Sequence, residues 1–284
     1  MSRLHLRALA WALAVAALVS ACVHTPESVA KALVSDDQEK QLGDQVKQEL
    51  DKQGTKYVQD PEVVNYVQGV AKKIFVSADK DRPGVDWHVY VIDDPKQVNA
   101  FATPGGNLFV YTGLLMAADN EAELAGVWGH ESGHVVARHS ARQMVDAMGL
   151  ETVIGMTLGN NPNQLAQVAA TLAAKGALLS YSREDESAAD EYGARYASAA
   201  GYDPHGLITF FQKLQKMEGD VPAFSKYLSD HPATADRISH LQQYIPAHNL
   251  GGSELGADRL KPIKARLGVK TSARDPSPAW LVVD

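Results

Sequence analysis

The chain of 284 residues holds one cysteine, Cys22, so it can form no internal disulfide, and a cysteine-built zinc ribbon or dithiol redox centre is excluded with it. Positive charge is also scarce. Lys and Arg number 27 against 34 Asp and Glu, the net charge is −7, and no stretch gathers the basic residues into the dense face that phosphate neutralisation requires. Nucleic acid is excluded as a main partner. No apolar run reaches the roughly 20 residues of a membrane-spanning helix. Leu165 to Leu179 comes nearest in the body, but it is short and carries Gln167 and Lys175, which suits a core helix. No internal repeat is visible, so solenoids and propellers drop out. The remainder, 45% apolar and 21% charged, is the composition of an ordinary globular chain of one or two domains.

The first residues have the character of a targeting segment. Arg3 and Arg7 form a basic start, Ala8 to Ala21 is an unbroken run of small and apolar residues, and together they are the n-region and h-region of a secretory signal. The run ends in Val19-Ser20-Ala21-Cys22, which resembles a bacterial lipobox, with Cys22 lipidated as the first mature residue. A diacyl thiolipid plus an amide-linked chain gives the multiple anchoring that one chain does not provide. Val23 follows where an Asp would retain the protein at the inner membrane, so similarity to Gram-negative lipoproteins implies the periplasmic face of the outer membrane. The expected organisation is a signal over 1–21, a tether over 22–34, a folded domain over 35–250 and a C-terminal tail over 251–284. That tail begins at Gly251-Gly252, and its six basic and four acidic residues could wrap the body or touch anionic headgroups, though such a spread is usually a solvated face.

Within the domain, Ser35-Asp36-Asp37-Gln38 forms a capping box for a helix reaching about Lys52. Asp60-Pro61 opens another, with Val63, Val67, Val70 and Ile74 at helical spacing. Trp87 to Ile92 predicts a strand. Val98 to Ala102 and Asn107 to Tyr111 flank Thr103-Pro104-Gly105-Gly106, a hairpin signal. From Asn120 to Tyr244 the pattern is mostly helical, broken at 160–163, 201–204, 219–222 and 231–232. These elements predict an α+β chain, mostly helical, with a small antiparallel sheet.

His130-Glu131-Ser132-Gly133-His134 carries the chemistry. Two residues four apart on a helix lie about 40° apart around its axis and one turn along it, so both imidazoles can converge on one ion. Glu131, a further 100° round, can reach a water on that ion. A catalytic zinc site needs a third protein ligand and an open position. The segment from Tyr181 to Asp190 offers Glu186 as a candidate for the third ligand, and Asp190, one turn later, can accept from the distal nitrogen of a ligand histidine. Glu184 and Asp185 compete by residue type alone. A tetrahedral oxyanion would need a second electrophile, for which His231, Arg237, Tyr181 and Tyr192 are the available types. His231, restrained before Pro232, is either that donor or a fourth metal ligand. His88, His139, His205, His240 and His248 stand alone and are given no role.

The H-E-x-x-H motif followed by a helix bearing Ser182-Arg183, Glu186 and Ala189-Asp190 resembles the membrane-associated zinc metallopeptidases that include HtpX and the type 1 CAAX prenyl proteases, and within them the periplasmic LoiP and BepA group. Asn99 to Gly106, Tyr111 to Leu115, Gly201 to Pro204 and His231-Pro232 share the resemblance, which spans about residues 35 to 245. It implies a zincin-like domain, one Zn²⁺ on His130, His134 and Glu186, Glu131 as base, and quality-control cleavage of unfolded or misassembled envelope polypeptides. The other function considered is a lipid-anchored assembly factor or holdase with incidental hydrolysis. Asn120 where an Asp is usual, and Ser132-Gly133 in place of a bulkier pair, depart from the family pattern. Substrate is expected to add as a strand along Asn107, Phe109 and Tyr111, just before the active-site helix.

Overall fold

The computed structural model describes residues 34–148, 162–174, 181–217, 227, 229–232 and 235–272. The signal, Cys22 and the tether up to residue 33 lie outside the described residues, as do residues 160–161, 219–222 and 273–284.

Helix α1 (Asp36–Lys52) starts as its sequence predicts: Ser35 accepts from the Gln38 N–H, and the Gln38 side chain accepts from the Ser35 N–H. Helix α2 (Pro61–Asp81) has Asp60 as its cap and Pro61 in its first turn. Its Val63, Val67, Val70 and Ile74 are buried, each contributing about 1.5–3 kcal/mol of transfer free energy. Strands β1 (His88–Ile92), β2 (Ala100–Ala102) and β3 (Asn107–Tyr111) form one mixed sheet in the order β1-β3-β2. The predicted hairpin is β2 and β3, antiparallel with Phe101 opposite Phe109, whereas β1 runs parallel to β3, since the chain reverses once into β2 and again into β3. Gly105 and Gly106 close the hairpin at φ 81° and 104°, where a side chain is strained; a Cβ on Gly105 would also lie 2.5 Å from Lys40 Cα of α1.

A short helix α3 (Thr112–Ala117) leads to α4 (Glu121–Val136), which is buried along its entire length. Beyond it come α5 (His139–Met148), α6 (Pro162–Ala174), α7 (Arg183–Ala199), α8 (Gly206–Met217) and α9 (Ala235–Ala247). None of the described helices is long and apolar enough to cross a membrane. Of the readings for the stretch from residue 251, wrapping of the body fits its described part: a helix, α10 (Ala257–Ser272), buries Leu260, Ile263 and Leu267 in the main core. Arg259 pairs with the buried Glu121, and Lys264 donates to Ala118 O at 2.9 Å, so this stretch is part of the body.

Helices α4 and α7 form the pair that builds the site, and they meet through glycine. A Cβ on Gly129 would lie 2.9 Å from Gly193 Cα, and one on Gly193 would lie 2.9 Å from Gly126 O and 3.2 Å from His130 N. Gly133, one of the two departures inside the motif, faces Tyr192 Cβ at 2.7 Å from where its own Cβ would be. The small residue is what lets α7 approach. At the other end of α4, Arg138 adopts φ 60°, and its guanidinium binds the buried Glu39 of α1 at 3.0 Å and also the Val34 carbonyl. Arg82 donates to Val135 O at 2.7 Å and to Glu39 at 2.6 Å, placing cationic groups where the helix carries its partial negative charge.

Candidate metal-dependent active site

Asn120 caps α4, its Oδ1 accepting from the Glu123 N–H at 3.0 Å, so Asn there keeps the cap that Asp would give. Ser132 returns its hydroxyl to Trp128 O at 2.7 Å and stays out of the site. His130 and His134 emerge one turn apart, both buried, with their Nε2 atoms 3.1 Å from each other. Across the helix pair, Glu186 lies 3.7 Å from His130 Nε2 and 3.5 Å from His134 Nε2. His231 completes the group, its Nδ1 3.0 Å from Glu186 and 3.2 Å from His130 Nε2. One ligand atom from each of the four residues lies within 4.8 Å of every other.

The opposite faces of the two rings explain the convergence. His130 Nδ1 donates to Asp190 at 2.9 Å, which leaves its Nε2 with a lone pair. His134 Nδ1 sits 2.9 Å from His139 Nδ1, and His139 Nε2 in turn faces Asp185 at 3.5 Å. Burial, against the pull of the Glu186 carboxylate, holds His134 well below the ordinary imidazole value, so it is a neutral imidazole. Two imidazole Nε2 atoms 3.1 Å apart can share either one proton or one cation between them. The donor set, two or three imidazoles and one carboxylate, is the set that zinc takes. Burial alone would raise Glu186, but His231, His134 and His130 hold it well below the usual carboxylate range. Burial works against a charged His231 as well, and the carboxylates of Glu186 and Glu131 nevertheless raise it to about 9.

Glu131 faces the same pocket. Its carboxylate accepts from the Ala102 N–H of β2 and lies 3.5 Å from His231 Nε2, while Oε1 has no hydrogen-bond partner. Burial pushes its pKa up, against the pull of His231 and His130, toward the range of a general base. Arg237 underpins the group: it binds Asp190 at 2.7 and 2.6 Å, Glu186 at 2.7 Å and Pro232 O at 2.8 Å.

Of the competing acids, Glu184 is exposed and Asp185 is spent on the cap of α7 and on Arg142 at 3.0 Å; neither reaches the group. Tyr181 stacks on His134 with ring centroids 3.8 Å apart and shares a hydrogen bond with Ser140 at 3.0 Å. Tyr192 sits against Gly133 and beside Arg195, on the far side of the helix pair. His88, His205, His240 and His248 make local pairs with Asp86, Asp203, Glu191 and the Tyr244 carbonyl. His139 is different, since it is buried against His134, and the sequence reading passed over it. Tyr227 was also missed; it is fully buried, its ring 5.3 Å from that of His231, and burial and the Glu131 carboxylate hold its phenol well above the ordinary value.

The expected substrate edge must be corrected. Asn107, Phe109 and Tyr111 belong to β3, the central strand, which is paired on both sides and buried. The edge beside the motif is β2. Asn99 O and Thr103 N are bonded inward to β3, so Ala100 and Ala102 turn their amides outward, where Asn99 Oδ1 and Glu131 accept from them.

An H-E-x-x-H helix packed on a second helix that contributes a carboxylate to the same buried group defines a metal-dependent peptidase. The model of Peptidase family M48 matches residues 59–245, and the chain belongs to that family. Metalloprotease LoiP of Escherichia coli is 32% identical over 86% of this chain and 99% of its own length. The mitochondrial metalloendopeptidase OMA1 of Schizosaccharomyces pombe is 33% identical over 64% of this chain, and the beta-barrel assembly-enhancing protease of Yersinia pestis 31% over 74%. The chain spans 52% and 44% of those two proteins, respectively.

Proposed function

We propose that the chain is a zinc endopeptidase in which His130, His134 and Glu186 hold the metal and Glu131 is the base. The observation that carries this reading is the convergence of the two Nε2 atoms, 3.1 Å apart, beside a buried carboxylate. Zinc bound there would polarise the scissile carbonyl and acidify the attacking water. Glu131 takes the proton from that water as it adds to the carbonyl carbon, then hands it to the departing amine nitrogen as the C–N bond breaks. Asp190 keeps the His130 tautomer, and Arg237 holds Asp190 and Glu186 in register. His231 acts as a displaceable fourth ligand, because its Nδ1 already lies in the ligand group. Substrate adds along the outer edge of β2, taking over the amides of Ala100 and Ala102 from Asn99 Oδ1 and from Glu131. Backbone pairing of that kind reads little sequence, which suits unfolded or misassembled chains.

The same proposal places the enzyme at the periplasmic face of the outer membrane, anchored through a lipidated Cys22, on the strength of Arg3, Arg7, the Ala8 to Ala21 run and Val23. Its role there is quality control of envelope proteins. The test is digestion of unfolded casein by protein beginning at Val23. Cleavage that stops with chelator, returns with zinc and is absent in Glu131→Gln supports the reading; cleavage indifferent to chelator, or none by the zinc-loaded wild type, rejects it.

A further inference from the structure

The Tyr227 hydroxyl is fully buried and has no hydrogen-bond partner among the described residues. Such a group is destabilising relative to a satisfied one, and phenylalanine would fill the same space without that cost. Its position is equally specific. The His231 N–H donates to Tyr227 O at 2.7 Å, so the two residues are one helical turn apart and share a face. The phenol ring packs edge-on against Phe210, centroids 5.8 Å apart, and lies beside the His231 ring.

Peptide hydrolysis needs a donor for the carbonyl oxygen as it becomes an oxyanion. Among the described residues, the other candidate donors around the group are committed. His231 is drawn to Glu186, Arg237 is shared among Asp190, Glu186 and Pro232 O, and the Tyr181 hydroxyl is paired with Ser140.

We propose that Tyr227 is a further catalytic residue, whose hydroxyl donates a hydrogen bond to the oxygen of the scissile carbonyl as negative charge develops there. This rests on the peptidase reading above. No proton leaves the phenol: the water proton travels through Glu131 to the amine, and the phenol supplies one neutral hydrogen bond that strengthens as its acceptor becomes charged. A donor unsatisfied in the resting protein and satisfied on the way to the transition state is differential binding, which raises kcat. Rotation of the His231 side chain out of the ligand group, on substrate entry, leaves the phenol one turn earlier facing the vacated space.

Zinc-loaded wild type, Tyr227→Phe and Glu131→Gln would be compared for kcat and KM on unfolded casein, for zinc content, for thermal midpoint and for inhibition by a phosphinic peptide, whose tetrahedral anion mimics the oxyanion. Tyr227→Phe is expected to lower kcat by about 10²-fold, to weaken the phosphinic peptide by a similar factor, and to leave KM and zinc content unchanged. Its thermal midpoint should hold or rise, since an unpaired buried hydroxyl is removed. Unchanged kcat and inhibition with a raised midpoint would overturn the proposal, as would loss of zinc, which would make Tyr227 packing for the ligand group. If wild type and Glu131→Gln are equally inactive, the peptidase reading fails and this proposal falls with it; if only Glu131→Gln is inactive while Tyr227→Phe matches wild type, this proposal alone fails.

Discussion

Replacing Asp190 by Asn separates support of the fold from support of the metal. Asp190 is wholly buried, accepts from His130 Nδ1 at 2.9 Å and holds the buried Arg237 through contacts of 2.7 and 2.6 Å. Removing one partner of a buried ion pair costs about 3–5 kcal/mol. The lower end applies here, because Asn keeps the shape and one acceptor, and Arg237 keeps Glu186 and Pro232 O. The metal-free protein should therefore lose about 3 kcal/mol. A second loss appears only with metal. His130 loses the anion that fixes its ring, and Arg237 competes more strongly for the Glu186 carboxylate, so zinc affinity should fall by about 10–100-fold. By linkage that removes about 1.4–2.7 kcal/mol of metal-dependent stabilisation. Urea unfolding of wild type and Asp190→Asn, once with chelator and once at a fixed buffered free zinc concentration, measures both. Equal losses in the two conditions would show that Asp190 supports only the fold, and the argument that it orients a ligand would be refuted.

Other perturbations test the remaining parts. Glu131→Gln should abolish casein cleavage while zinc stays stoichiometric by metal analysis; loss of zinc would make Glu131 a ligand. Gly193→Ala should destabilise by about 1–3 kcal/mol and weaken zinc binding, because its Cβ meets Gly126 O and His130 N, backbone atoms that cannot yield without parting α4 from α7; a denaturation midpoint at or above wild type would contradict that packing. His231→Ala should raise activity at low substrate, and a lowered rate with unchanged KM would make His231 the oxyanion donor instead. Cys22→Ser should release the protein from the membrane fraction or leave an uncleaved precursor, with catalysis by the purified domain unchanged; wild type found free in the periplasm would defeat the anchor.

What could be read from the sequence was what repeats locally. The Ser35 capping box, the Asn120 cap and the four-residue spacing of His130 and His134 each depend on neighbours within one turn, and each appears as expected. The choice of Glu186 over Glu184 and Asp185 rests on the family resemblance, and the structure adds a local reason: with the cap at Ser182, Asp185 is committed to the cap and Glu184 turns outward. Sheet order was a different matter. The Thr103 to Gly106 turn fixes β2 against β3, but it does not say which of the two receives β1, and β1 pairing with β3 is what moved the open edge from Asn107, Phe109 and Tyr111 to Ala100 and Ala102.

The buried partners of the metal group were hidden for a geometrical reason. On an unbroken helix, His139 would lie about 140° around the axis from His134, facing away. It reaches His134 because Arg138 takes φ 60° and turns the chain back, and an arginine gives no sign in sequence that it will adopt a conformation usually left to glycine or asparagine. What holds Arg138 there is the Glu39 carboxylate of α1, which also binds Arg82, and Arg82 in turn binds Val135 O at the end of the catalytic helix. The position of His139 against His134 thus depends on an acid nearly a hundred residues earlier, on the helix that begins just after Val34. A sequence reading that follows spacing can find the two imidazoles and cannot find the contact that orients one of them, because that contact is made by a turn whose shape is set by tertiary ion pairs.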